Sequence, residues 1–86
     1  MDHGVIYAYT PLCGTCKIAG RMLDIAHEVV NDVPLEKVNI NYAQDLAKKY
    51  QIESVPCLLI LKDGMLQEKI YAFQSVPFIV EKLKAV

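Results

Sequence analysis

The chain predicts an α/β fold in the order β-α-β-α-β-β-α, with a central mixed four-stranded sheet flanked by helices. Three observations predict it. Two runs, Val5-Ile6-Tyr7-Ala8-Tyr9 and Cys57-Leu58-Leu59-Ile60-Leu61, are apolar at every position, as strands buried on both faces are. Asp63-Gly64 follows the second run and is a two-residue hairpin signal. Three further segments carry apolar residues at helical spacing.

Val5 to Tyr9 opens the sheet, bounded by Gly4 and by Thr10-Pro11. From Thr15 to about Asn31, Ile18, Met22, Ala26, Val29 and Val30 recur at helical spacing and predict the helix's buried side. Asn31-Asp32 with Pro34 ends that helix. Leu35 to Ile40 reads as the second strand, parallel to the first because a helix connects them. Asn41 and Gln44 have the spacing of a capping box. Ala43, Leu46, Ala47 and Tyr50 then form one face of a short helix. Met65 to Tyr71 is the returning strand of the hairpin. Ser75 and Pro77 open the last helix, with Val76, Ile79, Val80 and Leu83 on its buried side.

With 86 residues the chain is expected to form one domain spanning 1–86. A domain of this size buries only about 60–65% of its unfolded surface. It has room for one core and little for a deep, enclosed cavity, so chemistry is expected at an edge. An apolar fraction of 53% predicts a packed globule. The net charge is −1 and no basic run marks a nucleic-acid surface. No apolar stretch approaches the roughly 20 residues of a membrane span. Met1-Asp2-His3-Gly4 lacks the basic n-region of a leader, so a cytoplasmic location is expected.

Cys13-Gly14-Thr15-Cys16 places two thiols at the first turn of the first helix. Partial positive charge and unpaired N–H groups at a helix N-terminus favour a thiolate, the nucleophile of disulfide exchange. In a reducing compartment such a pair is redox-active or metal-binding more often than a structural staple. An odd count of three cysteines also argues against a disulfide framework. Zinc is the competing reading, with Cys57, His3 and His27 as the remaining candidate ligands. Ser54-Val55-Pro56 stands just before the second apolar run, where a proline fits a strand's first residue. Cys57 reads as a buried small hydrophobe, with a side disulfide to the thiol pair as the sharper alternative. His27 reads as a solvated helix residue and Lys48-Lys49 as a solvated face.

Together these pieces resemble the thioredoxin family. The corresponding segments are the apolar strand with Cys13-Gly14-Thr15-Cys16-Lys17, then Lys37-Val38-Asn39-Ile40-Asn41, Tyr50-Gln51-Ile52-Glu53-Ser54-Val55-Pro56, and Leu61-Lys62-Asp63-Gly64. The match runs from Val5 to the C-terminus. The resemblance implies a thioredoxin-like fold without the leading strand and helix of full-length members. It implies a thiol–disulfide oxidoreductase that reduces protein disulfides through a Cys13/Cys16 dithiol–disulfide cycle. Cys13 would attack the substrate and Cys16 would resolve the mixed disulfide. Pro56 would be the family's cis-proline, and Val55 would offer backbone hydrogen bonds to an extended substrate. Substrates would dock beside Leu12, Val55, Pro56 and Phe73. Gly14 and Thr15 would keep the loop tight, and Lys37 would lie near the active site and favour the thiolate, with a snorkelling surface lysine as the equal alternative.

The same resemblance implies no cofactor beyond the redox-active Cys13–Cys16 disulfide and no metal. It implies a monomer recharged by a flavin-dependent reductase or a low-molecular-weight thiol such as glutathione. Four positions depart from the family pattern. Leu12 stands where Trp is usual, Thr15 where Pro is, and Ala72 where Gly is frequent. Tyr7 occupies the strand position of a buried acidic residue; it and Tyr9 read as core aromatics on the central strand, with a Tyr7 hydrogen bond near Cys16 as the sharper alternative. A metal or iron–sulfur carrier, and a non-enzymatic interaction domain on the same fold, are the rival functions. A glutaredoxin-type role is a nearer variant.

Overall fold

A computed structural model describes residues 1–86. Its strands are β1 (Gly4–Tyr9), β2 (Leu35–Asn39), β3 (Cys57–Lys62) and β4 (Met65–Ile70). Its helices are α1 (Gly14–Val29), α2 (Gln44–Lys49) and α3 (Val76–Lys84). The sheet order is β2-β1-β3-β4. β1 and β2 are parallel, and β1–β3 and β3–β4 are antiparallel.

Strand periodicity divides the core into two layers. Val5 and Tyr7 of β1 and Leu58 and Ile60 of β3 face one side, against Ala19, Leu23 and Ala26 of α1 and Ile79 and Leu83 of α3. Ile6, Ala8, Cys57, Leu59 and Leu61 face the other, where Leu46 and Tyr50 of the α2 segment and Val38 of β2 cover them. Both faces of β1 and β3 are therefore dry, which is why their sequences carry no polar alternation.

The hairpin turn places Asp63 at φ 55° and Gly64 at φ 77°. Two successive left-handed residues match the right-handed twist of the flanking strands. A register shift between Ile60 and Leu61 bulges β4, pairing Ile60 with Glu68 and Leu61 with Leu66. Ser75 caps α3 by accepting from the Phe78 N–H at 3.2 Å.

Three local expectations are corrected. The buried side of α1 is Cys16, Ala19, Leu23 and Ala26, while Ile18 and Val29 are exposed at 61% and 64%. The small residues Ala19 and Ala26 let the helix backbone approach the sheet, and the longer Ile18 then points outward. The Asn41/Gln44 capping box does not form. Asn39 instead accepts from the Asn41 N–H at 3.0 Å and starts a 3-10 turn over Ile40–Tyr42. Gln44 donates back to the Ile40 carbonyl, and α2 begins with no side-chain cap. His27 is also less solvated than expected. Its Nε2–H donates to the Val33 carbonyl at 2.7 Å and ties the end of α1 to the loop that leads into β2.

Candidate active site

The chain leaves β1 at Tyr9, turns through Thr10-Pro11-Leu12, and enters α1 at Gly14. The Cys13 N–H donates to the Thr10 carbonyl at 3.3 Å and closes this turn. Cys13 is the N-cap of α1, with extended backbone at φ −90° and ψ 111°. Its sulfur accepts from the Cys16 N–H at 3.1 Å, the place a serine or aspartate oxygen takes in other helices. The Thr15 hydroxyl lies 3.3 Å from the same sulfur. Cys13 and Cys16 are joined as a disulfide with Cα atoms 5.1 Å apart. Cys16 is 4% exposed, whereas Cys13 is only half-buried. One sulfur of the pair therefore meets solvent and the other lies behind it. Gly14 is open, with no atom near the space a side chain would fill.

Pro56 stands opposite this loop, and the Val55–Pro56 peptide bond is cis. The segment before it is held from both ends. The Ile52 N–H donates to Ala47, the Glu53 N–H to the Tyr71 hydroxyl at 3.2 Å, and Lys69 to the Gln51 carbonyl at 2.9 Å. Between Thr15 and Pro56 opens a groove of about 330 Å³, lined mainly by Ile18, Ala19, Met22 and Phe73 with Tyr71 and Gln74 at its edge.

The structure thus gathers Cys13, Thr15, Cys16, Pro56 and Phe73 at one end of the molecule. Phe73 is 5% exposed, packs edge-on to Tyr7 and lines the groove. Leu12 is 99% exposed at the loop tip and lies outside the groove. Val55 packs with the layer on the α2 side. Ile18 and Met22 were missed as groove residues because their helical spacing reads as core. Their signal was that α1 carries two adjacent apolar stripes, only one of which a sheet can cover.

A second opening of about 360 Å³ reaches Cys16 from the other side, past Tyr7, Tyr9, Lys17 and Lys37. Lys37 is placed near the resolving position, but its ammonium is paired with Asp24 on α1. Both partners are substantially exposed, so the pair adds little stability.

Tyr7 is 3% exposed, and its hydroxyl donates to the Cys16 carbonyl. Its ring stacks on Tyr9 with centroids 5.7 Å apart. Burial, aided by the negative charge of Asp24, pushes its pKa up to about 12, against a weaker opposing effect of the Gly20 N–H. The unfolded chain releases this proton near 10.0, before the folded chain does. Stability supplied by the buried neutral phenol is therefore complete below pH 10.0 and is lost as pH rises towards 12. Thermal melts between these pH values are expected to fall more steeply for the wild type than for Tyr7→Phe. Equal slopes would show that Tyr7 ionises as freely in the folded chain as in the unfolded one.

Cys57 is fully buried. Its thiol is pushed up by burial, with smaller opposing effects from Tyr71 and Lys69. It pairs with Ala8 across the sheet and belongs to the layer on the α2 side. Tyr7, which bonds to Cys16, belongs to the opposite layer. Cys57 thus faces the α2 side of the sheet, while α1, whose first turn holds Cys16, packs on the other side. No group of three or more His, Cys, Asp or Glu residues is placed to hold a metal ion. No helix is long and apolar enough to cross a membrane.

The family model described as Thioredoxin matches residues 1–85. The chain is 48% identical over 83 residues to the thioredoxin-like protein YusE of Bacillus subtilis (strain 168), covering 96% of this chain and 78% of that protein. It is 34% identical over 76 residues to the thioredoxin of the same organism, covering 85% and 73%. Among solved structures, mitochondrial thioredoxin 3 of Saccharomyces cerevisiae in its oxidized form superposes with a TM-score of 0.85 at 27% identity. That superposition covers 99% of this chain and 79% of the yeast chain.

Proposed function

The chain belongs to the thioredoxin family, and from that premise we propose that it reduces protein disulfides through a Cys13/Cys16 dithiol cycle. It is a thiol–disulfide oxidoreductase; the substrate, the order of steps and the residue roles are the proposal. The asymmetry of the two sulfurs carries the reading. Cys13 is reachable and accepts an N–H at the positive end of α1, while Cys16 is buried behind it.

In the proposed cycle the Cys13 thiolate attacks one sulfur of a substrate disulfide. A Cys13–substrate bond forms, the substrate S–S bond breaks, and the first substrate sulfur leaves as a thiolate that takes up a proton. Cys16 then loses its proton and attacks the Cys13 sulfur. The Cys13–Cys16 bond forms and the second substrate sulfur leaves, so two electrons have passed to the substrate. A flavin-dependent reductase or a low-molecular-weight thiol returns two electrons to the protein. One structural neighbour concerns the thiol resolving mechanism in yeast mitochondrial 1-Cys peroxiredoxin via glutathione/thioredoxin systems. By analogy, an oxidised protein thiol is a reasonable substrate for this chain too. The reducing cytoplasm is the setting in which the dithiol form would be maintained.

Docking is assigned to the surface around the reactive sulfur. Leu12 offers an exposed apolar side chain beside Cys13, the Val55 backbone offers hydrogen bonds, and Pro56 with Phe73 walls the groove. Titration of the reduced protein by the ultraviolet absorbance of its thiolates tests the electrostatic basis. One group is expected to ionise well below the pH of about 8.5 at which free cysteine does. Cys13→Ser should remove that group. If no thiol is more acidic than free cysteine, Cys13 is not an activated nucleophile.

A further inference from the structure

We propose that Tyr7 is a positioning residue for Cys16, holding the resolving thiol in line with Cys13 while the disulfide is open. The inference rests on the dithiol cycle above and adds to it a residue that touches neither substrate nor sulfur.

Tyr7 lies on β1 directly beneath the first turn of α1, and its hydroxyl donates to the Cys16 carbonyl. That carbonyl is also the acceptor of a helical rung, whose donor is the Gly20 N–H four residues on. Gly20 lies against the same hydroxyl, since a Cβ built on it would come within 3.5 Å of the Tyr7 oxygen. The hydroxyl therefore sits astride the Cys16–Gly20 rung. Residue 20 presents bare backbone there, and a methyl group in its place would come within 3.4 Å of the Tyr7 ring.

This matters most when the protein is reduced. With the S–S bond closed, Cys13 and Cys16 restrain each other covalently. Once it opens, the first turn of a helix has only its own bonds to prevent fraying. Resolution is an intramolecular attack, whose rate depends on keeping the two sulfurs aligned. A buried phenol fixed between Tyr9 and Phe73 anchors the backbone of Cys16 to the sheet from below.

The phenol acts here as a donor and not as a base. Around it lie Tyr9 on β1, Lys17 and Asp24 on α1, and Lys37 on β2, with only apolar Leu58 from β3 and Phe73 completing the enclosure. Asp24 is engaged by Lys37. The proton lost by Cys16 has a path to water through the opening past Lys17 and Lys37.

The experiment separates the two chemical steps. Capture is read as the second-order reaction of reduced protein with a small aromatic disulfide, and resolution as the first-order release of the second thiol from the mixed disulfide at Cys13. Tyr7→Phe is expected to slow resolution about fivefold, what the loss of one neutral hydrogen bond supports. Capture and the pH midpoint of resolution should not move, and Tyr9→Phe should leave both rates at the wild-type value. Unchanged resolution in Tyr7→Phe, an equal loss in both steps, or a shifted pH midpoint would overturn the positioning role. Amide exchange on the reduced wild type gives a reading independent of any variant: the Gly20 N–H should be as protected as that of Leu23, and exchange at the rate of a frayed end would overturn the proposal. If the wild type forms no mixed disulfide at Cys13, it is the dithiol cycle that fails. If it does and the Tyr7→Phe rates match the wild type, only the positioning role fails.

Discussion

Cys13→Ser is expected to abolish turnover of a protein disulfide, and Cys16→Ser to stop after one step with substrate covalently attached. The two outcomes differ because the sulfurs have different access. Serine at position 13 keeps the helix cap, since its oxygen can accept the Cys16 N–H as the sulfur does. The fold is preserved and only the nucleophile is lost. A hydroxyl is not ionised near neutral pH, so the residual rate should be indistinguishable from buffer. In Cys16→Ser the half-buried Cys13 still captures substrate, but the resolving thiol is gone, and the remaining cysteine, Cys57, is fully buried on the α2 side of the sheet. The adduct should accumulate stoichiometrically and be visible by intact mass. Full activity in Cys13→Ser, or capture through position 16, would reverse the assignment of nucleophile.

Leu58→Ala is expected to lower stability by about 3 kcal/mol, within the range found for buried leucines. Leu58 is fully buried and sits opposite Tyr7, between the sheet and the α1/α3 layer. The surrounding strand and two helices hold the space open, so collapse into the cavity would be limited. Against a total stability of about 5–15 kcal/mol the loss is large. The melting temperature should fall by roughly 15 °C, read by circular dichroism. A denaturant midpoint that moves with an unchanged slope would show that native packing alone was affected. A loss below about 1 kcal/mol would mean that this layer is not a continuous core.

Much of the architecture was legible because each strong signal agreed with its neighbours. The two uninterrupted apolar runs could only be central strands in a sheet covered on both sides, and β1 and β3 are those strands. Asp63-Gly64 set the hairpin, and Ser75 set the start of α3. The dithiol was legible from its spacing and its place between a strand and a helix.

What was hidden follows from the same physics. An unbroken apolar strand does not announce which residues face which layer, so the position of Cys57 behind the sheet needed the pairing of Cys57 with Ala8. On α1 the apolar residues outnumber those that the sheet can cover. Helical spacing fitted the stripe through Ile18 and Met22 as well as the one through Ala19 and Leu23, and small side chains won the inner face because they permit closer approach. Asn39 and Asn41 competed for one helix start, and the side chain that could bond two residues ahead took it.

The isolation of Cys57 has a consequence for fidelity. A protein with three thiols in communication can scramble, trading one linkage for another under strong oxidant and leaving a fraction of molecules in a dead-end pairing. Here the odd sulfur is fully buried and faces the α2 side of the sheet, away from the α1 layer, an arrangement expected to disfavour such exchange.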